Sequence, residues 1–234
     1  MNKTLFKTEL KNLGIDLRAA QLKQFEDYYR LLLEWNQKMN LTAITQEAEV
    51  YEKHFYDSLL AVKVYAFKDQ NICDVGAGAG FPSIPLKIVF PHLQVTIVDS
   101  SHKRITFLNK LIDKLALNNV KAVASRAEEY ALEHRETYDL VLARAVARLN
   151  ILMELCLPMV KVEGSFIALK GAQGTTELAE AAAGAVELGA RLVKSDKEHL
   201  FRANEIRYLF KYDKVKPTKH KYPRAYAKIK KNPL

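Results

Sequence analysis

Cysteine is nearly absent. The 234 residues contain two, Cys73 and Cys156, each set among apolar neighbours. That excludes a disulfide scaffold, and both read as small buried hydrophobes of a protein in a reducing, cytoplasmic compartment. Long apolar runs are also missing: no stretch reaches the ~20 residues of a membrane span. The start, Met1-Asn2-Lys3-Thr4-Leu5, lacks the charged-then-apolar pattern of a secretory leader. The six histidines are scattered, with no His, Cys, Asp or Glu cluster at metal-ligand spacing, so no metal is expected. Acid is missing from one end only. Residues 211–234 carry nine Lys/Arg against the single Asp213, a balance of +8. The first 210 residues hold the other 27 basic and 26 acidic side chains, a balance of +1. A concentrated basic tail suits a polyanion, and Tyr212, Tyr222 and Tyr226 among the charges favour RNA over lipid because rings stack on bases.

What is present begins with helices. Leu5, Phe6, Leu10 and Leu13 predict a helix over residues 3–13, stopped by Gly14. Leu22, Phe25, Tyr29, Leu32, Trp35 and Met39 predict the buried stripe of a second, from about Arg18 to Met39. A third is expected over 46–66, with Thr45 as its N-cap. Residues 1–66 therefore read as a helical cap, 67–212 as the core and 213–234 as the basic tail.

From residue 71 the period changes. Strands are expected at 72–75, 94–98, 120–124, 138–143 and 165–169. Helices are expected between them at 84–90, 101–117, 127–132 and 149–160. A further helix, 175–188, precedes two strands, 192–200 and 206–211, that have no helix between them. The fold class is α/β: a Rossmann-like, mostly parallel sheet closed by a final antiparallel strand, plus the N-terminal helical cap.

The chain is organised around Asp74-Val75-Gly76-Ala77-Gly78-Ala79-Gly80-Phe81-Pro82. This is a strand end, a glycine turn and a helix start, where a ligand can lie on bare backbone. Asp99 stands 23 residues beyond Gly76, at the end of the second strand, where a carboxylate can accept from both ribose hydroxyls. A dinucleotide site wants a third glycine one place later, where this chain has Phe81. Asp74 would repel a pyrophosphate and suits a cationic ligand end. The combination points to S-adenosylmethionine. The Tyr212…Lys216 and Tyr226…Lys230 spacings of a dehydrogenase fall in the lysine-dense tail, where chance matches are expected.

The acceptor follows from what the loops carry. Cytosine C5 chemistry needs a cysteine at a strand end, and neither cysteine sits at one. The loop after the fourth strand reads Arg144-Ala145-Val146-Ala147-Arg148 rather than the proline-rich loop that meets exocyclic amines. Two arginines suit phosphates and acceptor edges such as those of guanine, whose N7 lone pair needs no general base. Arg148, Lys170, Lys103 and Arg224 are the candidate RNA contacts, and His54 with Asp57 could face the cofactor from the cap.

These residues also resemble a known family. Trp35-Asn36, Asn40-Leu41-Thr42 and His54-Phe55-Tyr56-Asp57-Ser58 belong to the pattern, as do the glycine turn and Asp99-Ser100 with Lys103-Arg104. So do Arg126-Ala127-Glu128, Arg144-Ala145-Val146-Ala147 and Ala168-Leu169-Lys170-Gly171. From about Leu31 into the tail, the chain resembles the RsmG (GidB) family of bacterial small-subunit ribosomal RNA methyltransferases. The resemblance implies methylation of guanine N7 in the decoding region of 16S rRNA, with the small ribosomal subunit as partner. The family's cofactor positions fall on Gly76, Phe81, Ala127, Glu128 and Arg144; Gly78 and Asp99 rest on the turn argument. The tail departs: Tyr222-Pro223-Arg224-Ala225-Tyr226-Ala227-Lys228-Ile229 keeps the charge but not the family's Gly-Thr-Pro. A monomer is expected. Two other readings stay open at this point: a methyltransferase of small molecules, and a non-catalytic ribosome-assembly factor with a vestigial cofactor site.

Overall fold

The computed structural model describes residues 1–201 and 205–234. Its described strands form one seven-stranded sheet: β1 Asn71–Val75, β2 Gln94–Asp99, β3 Val120–Ala124, β4 Tyr138–Arg144, β5 Val160–Lys170, β6 Ala190–His199 and β7 Ile206–Lys214. The order is β3-β2-β1-β4-β5-β7-β6. β1 to β5 run parallel, β7 is antiparallel to β5, and β6 pairs antiparallel with β7 at the edge. Strand order reverses between β1 and β4, so the glycine turn after β1 opens into the crevice where ligands of such sheets bind.

Each face of the sheet is covered. On one lie α1 Lys3–Asn12, α2 Ala19–Met39, the helical passage 47–63, α5 Ser83–Val89 and α6 His102–Lys114, sharing one apolar core. On the other lie α7 Ala127–Glu133, α8 Leu149–Cys156, α10 Ala182–Glu187 and α11 Tyr226–Lys231 around a second core. The short α9 Gly174–Glu180 stands before α10. The N-terminal helices are thus one layer of the fold. Phe6, Phe25, Tyr28, Tyr51 and Phe55 form a ring cluster that reaches Phe81 beside the glycine turn.

Several expectations need correction. On α2 the buried position is Tyr28, with Tyr29 only half-buried, because Tyr28 reaches through to the turn and donates to Ala79 O at 2.5 Å. The third helix is composite: α3 Glu47–Glu49, a π-helix Val50–Tyr56, α4 Asp57–Leu59 and a 3₁₀ turn Leu60–Lys63. Its N-cap is Gln46, with no side-chain capping bond, rather than Thr45. The helix over 175–188 breaks at Ala181 into α9 and α10. β5 begins at Val160, five residues before the expected start, because it follows directly on the 3₁₀ turn Leu157–Met159.

The largest correction concerns the tail. β7 runs on to Lys214, and the chain then folds back over the second core, burying Thr218, Tyr222 and Ile229. Arg135 holds this segment by donating to Thr218 O at 2.6 Å and to Tyr222 O. Lys214 is buried, donating to Leu157 O (2.7 Å) and Val160 O (3.1 Å), and burial pushes its ammonium down to about 8. Tyr212 and Tyr222 are therefore core residues, unavailable for stacking on bases.

Candidate active site

A cavity of about 540 Å³ opens at the carboxyl ends of β1, β2 and β4, and Gly76, Gly78, Phe81, Asp99, Ala127, Glu128 and Arg144 all line it. The three glycines differ in what they do. Each has a positive φ: 71° at Gly76, 60° at Gly78 and 101° at Gly80. A Cβ on Gly76 would lie 2.6 Å from Val146 Cγ2, and one on Gly80 would meet Tyr28 Oη at 2.7 Å and Ile84 Cγ1 at 2.8 Å. A Cβ on Gly78 would meet no atom within 4 Å. Gly76 and Gly80 are small so that the protein can pack on the turn, and Gly78 leaves bare backbone open to a ligand.

Asp99 fixes the turn from β2. Its Oδ2 accepts from Gly78 N at 3.2 Å and from Arg104 Nη1 at 3.3 Å, and its Oδ1 accepts from Ser101 N at 2.9 Å. A carboxylate has about four acceptor positions, so one remains for a ligand hydroxyl. Asp74 is a correction. It is fully buried and is not among the cavity's lining residues; its Oδ2 accepts from Ser83 N at 3.0 Å, at the start of α5. Burial pushes its carboxyl up to about 7. It anchors the helix after the turn rather than meeting a cationic ligand.

Arg144 ends β4 inside the molecule. Its Nη1 donates to Asp57 Oδ2 at 3.1 Å and to Lys53 O at 3.2 Å, and its Nη2 to His54 Nδ1 at 3.1 Å. Burial lowers its pKa, against the opposing charge of Asp57. The carbonyls it uses, Lys53 O and His54 O, belong to the π-helix, a rare conformation that is frequent at functional sites. Arg207 from β7 donates to the same Asp57 oxygen at 3.0 Å. His54 must be neutral: its Nδ1 accepts from a guanidinium, so its Nε2–H donates to Thr42 Oγ1 at 2.9 Å. Burial, then the Arg144 charge, hold it down at about 3. Phe81 is packed between the rings of His54, 4.4 Å between centroids, and Tyr28, 5.4 Å. The Arg144 guanidinium lies 5.0 Å from its centre.

The candidate RNA contacts fall elsewhere. Lys103 is exposed. Arg148 is paired with Glu180, and Lys170 is buried, donating to Glu177 Oε2 and to Ala147 O, each at 2.6 Å. Arg224 grips the fully buried Glu154, with Nη2 to Oε2 at 2.6 Å. As they stand, Lys170 and Arg224 are internal partners and not phosphate contacts. Sequence reasoning missed Leu41, Thr42, Val146 and Tyr226 as cavity residues. Asn40 was the available signal for the first two: at φ 48° it ends α2 in the left-handed turn that Asn tolerates. Thr42 N then donates to Asn36 Oδ1 at 2.8 Å. Both cysteines are buried with their thiols pushed up by burial, so neither is a nucleophile. Among the described residues no group of three His, Cys, Asp or Glu is placed to hold a metal.

The sequence model of rRNA small subunit methyltransferase G, GidB, matches residues 21–200. The chain belongs to the GidB family. Its GidB relatives include the ribosomal RNA small subunit methyltransferase G of Lysinibacillus sphaericus, 51% identical over 100% of both chains. That of Levilactobacillus brevis is 52% identical over 100% of this chain and 99% of the other. Among solved structures, the fold is shared with M. jannaschii TYW2 in complex with AdoMet. That match has a TM-score of 0.56 and 15% identity, over 74% of this chain and 80% of the other. A 16S rRNA adenine-N1 methyltransferase from Catenulisporales acidiphilia has a TM-score of 0.54 and 15% identity, over 69% and 93%. At these identities the likeness concerns the fold alone, whereas GidB membership extends along the whole chain.

Proposed function

We propose that the protein transfers a methyl group from S-adenosylmethionine to N7 of a guanine in 16S rRNA, acting as a cytoplasmic monomer on the small subunit or its RNA. One observation carries the reading: the open backbone of Gly78 and the buried carboxylate of Asp99 converge on one cavity in a GidB chain. The cavity residues fit such a cofactor. Asp99 keeps an acceptor position for a ribose hydroxyl, Gly78 admits close approach, and Ala127 with Glu128 border the far side.

When bound, S-adenosylmethionine supplies a methyl group on a positively charged sulfur. Gly78 and Asp99 would hold that donor, and guanine N7 would bring its own lone pair to the methyl group. No proton is transferred, and no general acid or base is required of the protein. The chain's part is to hold two reactants in line, which is worth several kcal/mol of barrier. Phe81, locked by His54, Tyr28 and Arg144, gives the cavity one rigid apolar wall. The neutral His54 keeps a second positive charge away from that wall.

The test is transfer from methyl-labelled S-adenosylmethionine to small subunits, and to their naked RNA, from cells lacking the protein. Label in the 16S rRNA supports the reading. Label only in small molecules, or none, contradicts it in favour of the two readings that the sequence left open.

A further inference from the structure

A second cavity of about 280 Å³ adjoins the first. The two share Ala145 and Val146 in their lining, and the second also carries Lys170 and Glu177. Ala145, at φ 55°, holds the strained left-handed conformation where the two cavities meet. This cavity suits one planar base rather than a nucleotide, and it lies at the ends of β4 and β5, beside the cofactor cavity, with which it shares the edge residues Ala145 and Val146.

The polar atoms inside it are partly used. Lys170 Nζ has three protons, of which one goes to Glu177 Oε2 and one to Ala147 O. Glu177 Oε2 takes Lys170 and also Leu149 N, at 2.8 Å. One ammonium proton and the carboxylate oxygen Oε1 remain, a donor beside an acceptor in a cavity wall where Lys170 is 6% exposed. Buried polar groups seek partners.

We propose that this pair reads the Watson–Crick edge of the target guanine, Lys170 donating to O6 and Glu177 accepting from N1–H. The assignment rests on the guanine-N7 reading above and extends it to base selection. Guanine offers an acceptor at O6 next to a donor at N1. Adenine offers the reverse, an amino group facing the ammonium and a lone pair facing the carboxylate. A base held by that edge leaves N7 on its other side, clear of the protein's hydrogen bonds and free to be attacked. The base must be unstacked to enter, as for other enzymes that act on a single nucleobase. This gives the buried Lys170 a role in recognising the base in place of a phosphate.

The test uses the full-length protein with Glu177→Gln and Lys170→Met. Gln retains an oxygen for Leu149 N, and neither residue lines the cofactor cavity. Loss of a charge-assisted bond should lower kcat/KM for rRNA roughly ten- to a hundredfold, while the Kd for S-adenosylmethionine, which also reports folding, stays within about twofold of wild type. Wild-type rates in both variants with cofactor binding intact would overturn the assignment. A measurement on the wild type needs no variant. Guanosine should inhibit methylation at least about fivefold more strongly than 2-aminopurine riboside, which lacks O6 and N1–H. Equal inhibition by the two, or none, overturns the proposal. A wild type that methylates rRNA while failing these tests leaves the function standing and removes only the base-reading role. One that transfers no methyl to rRNA overturns both.

Discussion

At the scale of single residues, the glycine turn separates into parts with different duties, and substitution should reveal them. Gly78→Ala adds a Cβ that meets no protein atom, so its stability cost is the left-handed strain alone, about 1–2 kcal/mol. That Cβ projects into the cofactor cavity, and cofactor affinity should fall. Gly80→Ala adds the clash with Tyr28 and Ile84 and should cost about 2–5 kcal/mol. Chemical denaturation beside calorimetry with S-adenosylmethionine checks both; equal effects of the two variants on stability would contradict the division. His54 gives a pH signature. Its folded pKa of about 3 lies below the ordinary 6.5, so the unfolded chain binds the proton more tightly. The stability it contributes is present above pH 6.5 and is lost as pH falls toward 3. Asp74, raised from 3.8 to about 7, acts oppositely: its contribution is present below pH 3.8 and is lost as pH rises to 7. The stability of the wild type relative to His54→Gln should therefore drop between pH 6.5 and 4, a comparison in which the Asp74 contribution is common to both proteins. A difference independent of pH would contradict the neutral buried imidazole.

At the scale of elements, most of the sheet could be read from the alternation of apolar runs with helical periods, because the central strands β1, β2 and β4 are buried on both faces. Asp99 could be read for the same reason: a lone acid at the end of an apolar run has few structural uses. What could not be read were contacts made across the fold. The sequence pattern cannot distinguish Tyr28 from Tyr29, since both lie near the apolar stripe of α2. Which of them turns inward is decided by Gly80, fifty-two residues later. The π-helix was hidden because Val50, Phe55 and their apolar neighbours fall at ordinary helical spacing, and it is matched to the guanidinium of Arg144 from another layer. The C-terminal segment misled because composition records charge and not pairing. Of its nine basic side chains, Lys211, Lys214, Lys219, Lys221 and Arg224 are ion-paired within the protein. Arg224→Met should therefore cost about 3 kcal/mol, leaving Glu154 buried without its partner, as urea unfolding would report. A purely RNA-binding arginine would leave stability unchanged.

At the scale of the whole molecule, the positive charge still has an outward face. Lys228, Lys230 and Lys231 on α11 are exposed, and Tyr226, at the start of the same helix, lines the cofactor cavity. Bound RNA and bound cofactor would thus meet one short element. Replacing these three lysines by Gln should weaken rRNA binding and reduce the slope of log K against log salt by about 2. An unchanged slope in filter binding would remove α11 from the RNA surface. The central claim concerns the atom that receives the methyl group, and the most direct measurement is mass spectrometry of nucleosides. Small subunits lacking the modification would be treated with the protein and deuterated-methyl S-adenosylmethionine, and their 16S rRNA then digested. The account predicts labelled 7-methylguanosine and no other labelled nucleoside. Label on an exocyclic amine, a ribose or a pyrimidine would contradict it.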